Sequence, residues 1–270
     1  MLNRIYNEDC LAGMKKIPDG SVDMVLCDPP YGTTDNDWDV KLPTDKVFAE
    51  YWRVCKENAA IVLFSQMPFG AELIMSQPKL YRYEWIWEKP MPVGFLNAYK
   101  MPLRCHENIL VFYRKLPTYN PQFWYSKPYK KKSNPIAANC YGKVKWNEIT
   151  ETINEDGKRY PRDVVKFNKE FFGYDMKLKQ PVYSKHPTQK PVKLLEYLIK
   201  TYTNEGDLVL DNCMGAGSTA VACINTNRNF IGFETEKKYC DIAQERIEEA
   251  KCGLEPMEDA DDSFVLEGFG

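Results

Sequence analysis

The sequence predicts an α/β fold, a doubly wound and mostly parallel sheet of six or seven strands. Three observations predict it. Short apolar runs of strand length alternate with segments of helical period, as in parallel sheets with helical crossovers. A glycine turn joins one such run to a helix start between Leu208 and Ala220. The 270 residues are enough for one catalytic core with an insertion.

Taken in order, the strand-like runs are Val22 to Cys27, Ala60 to Phe64, Tyr83 to Trp87, Ile109 to Tyr113, Leu208 to Leu210 and Phe230 to Phe233, apolar and rich in β-branched and aromatic residues. Helical patterns fall between several of them, at Asp45 to Lys56, Val192 to Tyr202 and Ala220 to Asn225. In the second, Val192, Leu195, Leu198, Ile199 and Tyr202 share one face, and Pro191 suits a helix start because its φ is already helical. From Lys115 to about Lys185 the alternation stops. This stretch is rich in Lys, Pro, Tyr, Phe and Asn and reads as an insertion, without a sustained helical or strand period. The expected division is therefore 1–115, 116–185 as the insertion, 186–252, and an acidic, mobile tail over 253–270.

An apolar fraction of 44% and a charged fraction of 27% belong to a folded globular chain and set aside disordered and fibrous classes. No apolar run approaches the roughly 20 residues of a membrane span, and the start is too acidic for a targeting peptide. The expected address is the cytoplasm. Nine cysteines without a CxxC pair, and two histidines, His106 and His186, lack zinc-site spacing, so no metal is expected. The net charge of −2 conceals an asymmetry. Six acidic residues and no basic one lie from Cys252 to the end, while Lys115 to Lys185 holds fifteen basic against seven acidic residues. Positive charge is concentrated where a polyanion can be held.

Three motifs carry chemistry. Asp28, Pro29, Pro30 and Tyr31 follow the strand Val22 to Cys27, and ligands of open α/β sheets bind at such carboxyl ends. The prolines stiffen the turn and leave Pro29 without an N–H. A carboxylate and the Pro29 carbonyl can then accept from one NH₂ group and turn its lone pair toward an electrophile, while Tyr31 can stack on a base taken out of a duplex. The second motif is the glycine loop Asp211 to Thr219, with Gly215, Gly217, Ser218 and Thr219, followed by Glu234 after the next strand. Glycines allow close backbone approach, the helix start offers free N–H groups, and the carboxylate can grip ribose hydroxyls. By itself this loop allows a nicotinamide enzyme as well as a methyltransferase. The third motif is His186, Pro187, Thr188, Gln189, Lys190 and Pro191, whose polar residues can meet a carboxylate.

Together these residues resemble the amino-methylating DNA methyltransferases, in the permuted order called the beta class: the DPPY motif, an insertion, HPTQKP, then the glycine loop. The resemblance covers about residues 1–252. It implies a seven-stranded Rossmann-like methyltransferase sheet, circularly permuted, with an inserted target-recognition region. It also implies S-adenosylmethionine as cofactor, S-adenosylhomocysteine as product, and transfer to the N6 amine of a flipped adenine in double-stranded DNA. Carried over, Asp28 and Pro29 accept from the target amine, Pro30 completes the motif, and Tyr31 stacks on the base. Asp28, Asp211, Gly215, Gly217, Ser218 and Thr219 contact the cofactor, His186, Thr188 and Lys190 meet its methionine side, Glu234 its ribose, and Asp9 with Cys10 its adenine. The stretches around Trp38 and Asp39, Trp87 to Lys89, and His106 and Glu107 also resemble the family, in supporting roles. Asn212, Cys213 and Ala216 depart from its usual pattern in the glycine loop. Cytosine-N4 or RNA adenine methylation, and a silent DNA-binding protein, are the alternatives. Phosphate contacts are expected from Lys127, Lys130, Lys131, Lys132, Lys143, Lys145, Arg159 and Arg162 in the insertion. Double-stranded DNA is the expected partner, a homodimer is allowed, and no membrane is involved. The setting is a bacterial or phage-infected cell, at the nucleoid, in a restriction-modification context.

Overall fold

The computed structural model describes residues 1–33, 39–132, 151–168, 173–175, 180–182 and 189–253. Along the chain run β1 Arg4–Tyr6, α1 Cys10–Met14, β2 Val22–Cys27, α2 Thr44–Val54, β3 Cys55–Ser65, α3 Phe69–Ser76, β4 Tyr81–Val93 and β5 Arg104–Phe112. Then come the short strands β6 Trp124–Tyr125, β7 Tyr129–Lys132, β8 Glu151–Asn154, β9 Lys158–Arg159, β10 Val164–Lys166, β11 Gly173–Asp175 and β12 Gln180–Val182. The chain continues with α4 Val192–Tyr202, β13 Leu208–Asp211, α5 Ser218–Asn225, β14 Asn229–Phe233 and α6 Lys237–Lys251.

Eight strands form the central sheet in the order β1-β14-β13-β2-β3-β5-β4-β10. All neighbours pair in parallel except at β5, which runs antiparallel to both β3 and β4. The six expected strand runs supply six of the eight, and β1, near the start of the chain, is a seventh. The last, β10, comes from within the stretch read as an insertion and pairs with the outer edge of β4.

Alternation along the strands sends successive side chains to opposite faces. Met24, Leu26, Val62, Phe64, Val111 and Val209 pack with Leu194, Leu195, Leu198 and Ile199 of α4 and with α5. Their neighbours Val25, Cys27, Ile61, Leu63, Phe112 and Leu210 pack instead with Met14 of α1, Val47, Phe48 and Tyr51 of α2, and α3. Two apolar faces require two helical layers, which is why the sheet is doubly wound. Helix α2 presents Val47, Phe48, Tyr51 and Val54 to the core, a helical spacing of one face.

Residues Pro121–Arg162 form a compact unit of their own, and the remaining described chain forms the other. The expected insertion of 116–185 is thus wider than this unit. Within the unit β6 pairs with β9 and β7 with β8, both antiparallel, and Lys158 lies over Phe123, 3.8 Å from the ring centroid. The tail from residue 254 onward lies outside the described residues.

Candidate active site

Parallel strands end on one edge of a sheet, so the residues that follow β2, β13 and β14 converge there. These are Asp28, the loop after Asp211, and Glu234. The antiparallel strand β5 begins at the same edge, because its Arg104 pairs with Val93, the last residue of β4, and its Asn108 with Ser65, the last residue of β3. The result is a cavity of about 850 Å³. Asp9, Cys10, Asp28, Pro29, Pro30, Tyr31, Lys190, Asp211, Gly215, Ser218, Thr219 and Glu234 all line it. Gly217 does not, and His186 and Thr188 lie outside the described residues.

Asp28 is held on both carboxylate oxygens. The Tyr31 hydroxyl donates to Oδ1 at 2.7 Å, and the Lys190 ammonium donates to Oδ2 at 2.5 Å. Asp39 fixes the loop by accepting from the backbone N–H groups of Gly32 and Thr33, each at 2.8 Å. Lys190 also lies 3.2 Å from Glu107 Oε2, and Lys89 pairs with the other oxygen of Glu107. Lys190 was expected beside the methionine part of a ligand. It lines that cavity, but its charge is shared between Asp28 and Glu107. Two ammonium groups and two carboxylates thus alternate in a row, neutral in sum.

Burial opposes each of these charges, and the neighbours decide the balance. Burial raises the Asp28 pKa, Glu107 adds to the rise, and Lys190 opposes it. Burial works against ionised Glu107 as well, but Lys190 and Lys89 outweigh it and hold the carboxyl below its usual range. Lys190 is likewise disfavoured by burial yet kept charged, its pKa raised by Asp28 and Glu107. Glu107 and Lys89 carried only supporting roles in the sequence reading. Their signal is the polar residues that follow Trp85–Trp87 in β4 and precede Ile109–Phe112 in β5.

The glycine loop is built from within. Thr219 Oγ1 donates to Asp211 Oδ2 at 2.6 Å, and the Cys213 N–H donates to Asp211 Oδ1 at 3.0 Å. Burial raises the Asp211 pKa to about 6. Asn212, one of the departures from the family pattern, is buried and accepts from the Tyr51 hydroxyl at 2.5 Å, so the loop is tied to α2. Glu234 accepts from the N–H groups of Gly215 and Glu236, each at 2.8 Å; burial raises its pKa. Asp9 caps α1, accepting from Ala12 N–H at 2.9 Å, and Cys10 opens that helix.

The two loop glycines do different work. Gly215 has φ +52° and open space where a side chain would begin, so the bare backbone faces the cavity. Gly217 has φ +80°, and a Cβ there would sit 2.8 Å from Ala243 Cβ on α6. Gly217→Ala should therefore cost about 1–3 kcal/mol in stability through the left-handed backbone and the clash. Thermal unfolding checks this: a melting temperature equal to that of the parent would refute it.

In the compact unit, Lys127, Lys130, Lys131 and Arg162 are exposed. Lys132 lies in β7, and Lys143 and Lys145 lie outside the described residues. Arg159 is turned inward. Its guanidinium donates to Asn154 Oδ1 at 2.6 Å and to the Lys127 carbonyl at 2.7 Å, over the Tyr129 ring. The Arg162 guanidinium lies over Trp124, 5.1 Å from the ring centroid.

Residues 22–245 match the model of the N6_N4_Mtase family, described as DNA methylase. The chain is 27% identical to the type II methyltransferase M.HpaI of Haemophilus parainfluenzae, over 96% of this chain and 78% of that protein. It is 28% identical to the DNA adenine methyltransferase YhdJ of Escherichia coli, over 91% and 83% respectively. The crystal structure of the M1.HpyAVI-SAM complex superposes with a TM-score of 0.58 at 26% identity, covering 90% of this chain and 98% of that one.

Proposed function

Since the chain belongs to the N6_N4_Mtase family of DNA methylases, we propose that it methylates the exocyclic N6 amine of an adenine flipped out of double-stranded DNA, at a specific sequence, with S-adenosylmethionine as donor. One observation carries the reading. The DPPY carboxylate, Asp28, and the glycine loop with Glu234 line one cavity. An amine acceptor and a nucleoside-sized cradle therefore share a single space.

The residues fit the donor. Gly215 presents backbone with no side chain in the way, as a close-lying ligand needs. Glu234 is anchored by two N–H groups and keeps further lone pairs for ribose hydroxyls. Asp9 and Cys10 line the same space and serve the adenine end. S-adenosylmethionine supplies an electrophilic methyl group on a sulfonium and leaves as S-adenosylhomocysteine.

The chain's own residues prepare the amine. Asp28, kept ionised opposite Lys190, accepts one amine N–H, and the Pro29 carbonyl accepts the other. Both draw the nitrogen lone pair out of conjugation with the ring, which makes it a nucleophile without a strong base. As the nitrogen gains its fourth bond it must shed a proton. Asp28 is suited to receive it because burial has raised its pKa. Tyr31 stacks on the base and steadies Asp28 through its hydroxyl.

Adenine rather than cytosine is supported by Asp28 at the head of DPPY and by YhdJ, a relative named as a DNA adenine methyltransferase. Incubation with labelled S-adenosylmethionine and unmethylated genomic DNA, followed by digestion to nucleosides, tests this. N6-methyladenine is the expected product; N4-methylcytosine would replace the adenine reading, and no labelled nucleoside would end it. Sequencing the same DNA maps the recognition site. The site of action is the bacterial nucleoid.

The compact unit Pro121–Arg162 serves as the phosphate-holding surface through its exposed Lys127, Lys130, Lys131 and Arg162. Arg159, bound inward, is left out of that set. Replacing Lys130 and Lys131 by glutamine should flatten the dependence of log affinity on log salt by about 0.9 per lost phosphate contact. Titrations at several salt concentrations measure it, and an unchanged slope would move the DNA surface elsewhere.

A further inference from the structure

The β4–β5 hairpin has a tip whose apolar side chains are exposed among the described residues. Met91, Val93, Phe95, Leu96, Tyr99 and Met101 are all exposed, with Leu96 at 99% and Tyr99 at 106% of full exposure. Apolar clusters of this kind on a protein surface mark interaction sites. The tip is nevertheless ordered by its own backbone. Gly94 turns the chain at φ +97°, one 3-10 turn follows over Phe95–Asn97, and the Asn97 carbonyl accepts from Lys100 N–H at 2.8 Å and Met101 N–H at 3.0 Å.

Its position in the sheet says what it meets. Val93 and Arg104 pair across the hairpin and both line the active cavity. Glu107 lies three residues further down β5, about 10 Å deeper at strand rise. The tip therefore stands beyond the rim of the space that, on the function proposed above, receives a flipped base. From Lys89 to Arg104 there is no acidic residue, and Lys100 and Arg104 are basic, as a surface beside phosphates requires. Arg104 is set in place by donating to Gln66 Oε1 at 2.8 Å.

A base that leaves the stack opens a gap in the duplex, and apolar side chains can enter a duplex, as the wedges that other DNA-binding proteins insert between base steps do. We infer that Leu96 and Tyr99 on the β4–β5 tip enter the duplex and occupy the place vacated by the target adenine. The occupant of this apolar surface is thus DNA, held by stacking on the Tyr99 ring and by contact with Leu96. The inference rests on the adenine reading and adds the element that keeps the base out.

The test uses the full chain, S-adenosylmethionine and two duplexes carrying the mapped site, one with the target adenine paired and one with it opposite a mismatched base. Mismatching lowers the work of flipping. Leu96→Ala/Tyr99→Ala should slow single-turnover methylation of the paired duplex by about ten- to a hundredfold, the scale of one lost base-stacking contact. The mismatched duplex should restore most of that rate. S-adenosylmethionine affinity and the melting temperature should stay at parent values. An equal loss on both duplexes, or no loss on either, would overturn the wedge. So would a change in sedimentation without DNA, which would assign the patch to a second copy of the chain. A parent protein that methylates neither duplex would overturn the adenine reading first, and the wedge with it.

Discussion

Asp28→Ala is expected to lower methyl transfer by about 10²–10³-fold or more, the scale of removing a single preorganised group from a reacting atom, while S-adenosylmethionine affinity stays within about threefold. The separation follows from the site's construction. On the proposed function Asp28 serves the amine, whereas the cofactor is held by Asp211, Gly215 and Glu234, which are set by their own hydrogen bonds. Lys190 keeps Glu107 as a partner when Asp28 is gone, so no buried ammonium is stranded and the fold should survive. Single-turnover transfer and equilibrium binding read the two effects separately. An active Asp28→Ala protein would remove Asp28 from the chemistry, and equal loss of binding would make it a cofactor ligand instead.

Lys190→Met should have the next largest effect, on both stability and pH dependence. It leaves the half-buried Asp28 and the buried Glu107 with a single positive charge, Lys89, against their two negative ones, and breaking a buried pair from one side costs about 3–5 kcal/mol. Denaturant unfolding measures that loss. The pH effect has a definite sign. Transfer requires Asp28 ionised, so activity is present above its pKa and lost as pH falls through it. Burial has already raised that pKa, and Lys190 is the group holding it down. Its removal should move the acid limb of the rate profile to higher pH, so that activity lost along that limb returns in more alkaline buffer. A rate profile displaced downward in pH, or unmoved, would contradict this electrostatic role.

Local motifs made part of this site legible. Asp28 and Glu234 each directly follow a strand, and Asp211 ends one, so each carboxylate could be placed by reading its own neighbourhood. Glu107 could not be, because it reaches Asp28 through Lys190, and that Lys190 to Asp28 contact spans 162 residues. Only the reversal of β5 brings it to the edge where the parallel strands end. Lys190 itself was found in a motif, yet its pairing with Asp28 and Glu107 was not, for the same reason. Among the helices, α2 and α4 showed clear apolar stripes. Helix α6 buries only Ala243, Arg246 and Ile247, too little for a period to stand out, and α1 spans five residues. The compact unit offered no period either, since its strands are two to four residues long.

Both chain ends that flank Pro121–Arg162 are tied to the main body. The Asn120 N–H donates to the Thr201 carbonyl at 2.8 Å and its side chain to the Thr203 carbonyl at 3.0 Å, at the end of α4. On the other side β10 pairs with β4 directly after Asp163. With the exits clamped in this way, the segment between them can drift or be exchanged among descendants without disturbing Asp28, Lys190 or the cofactor loop. If that segment holds the DNA as proposed, new target sequences can then arise by inheritance of a different segment on an unchanged catalytic frame.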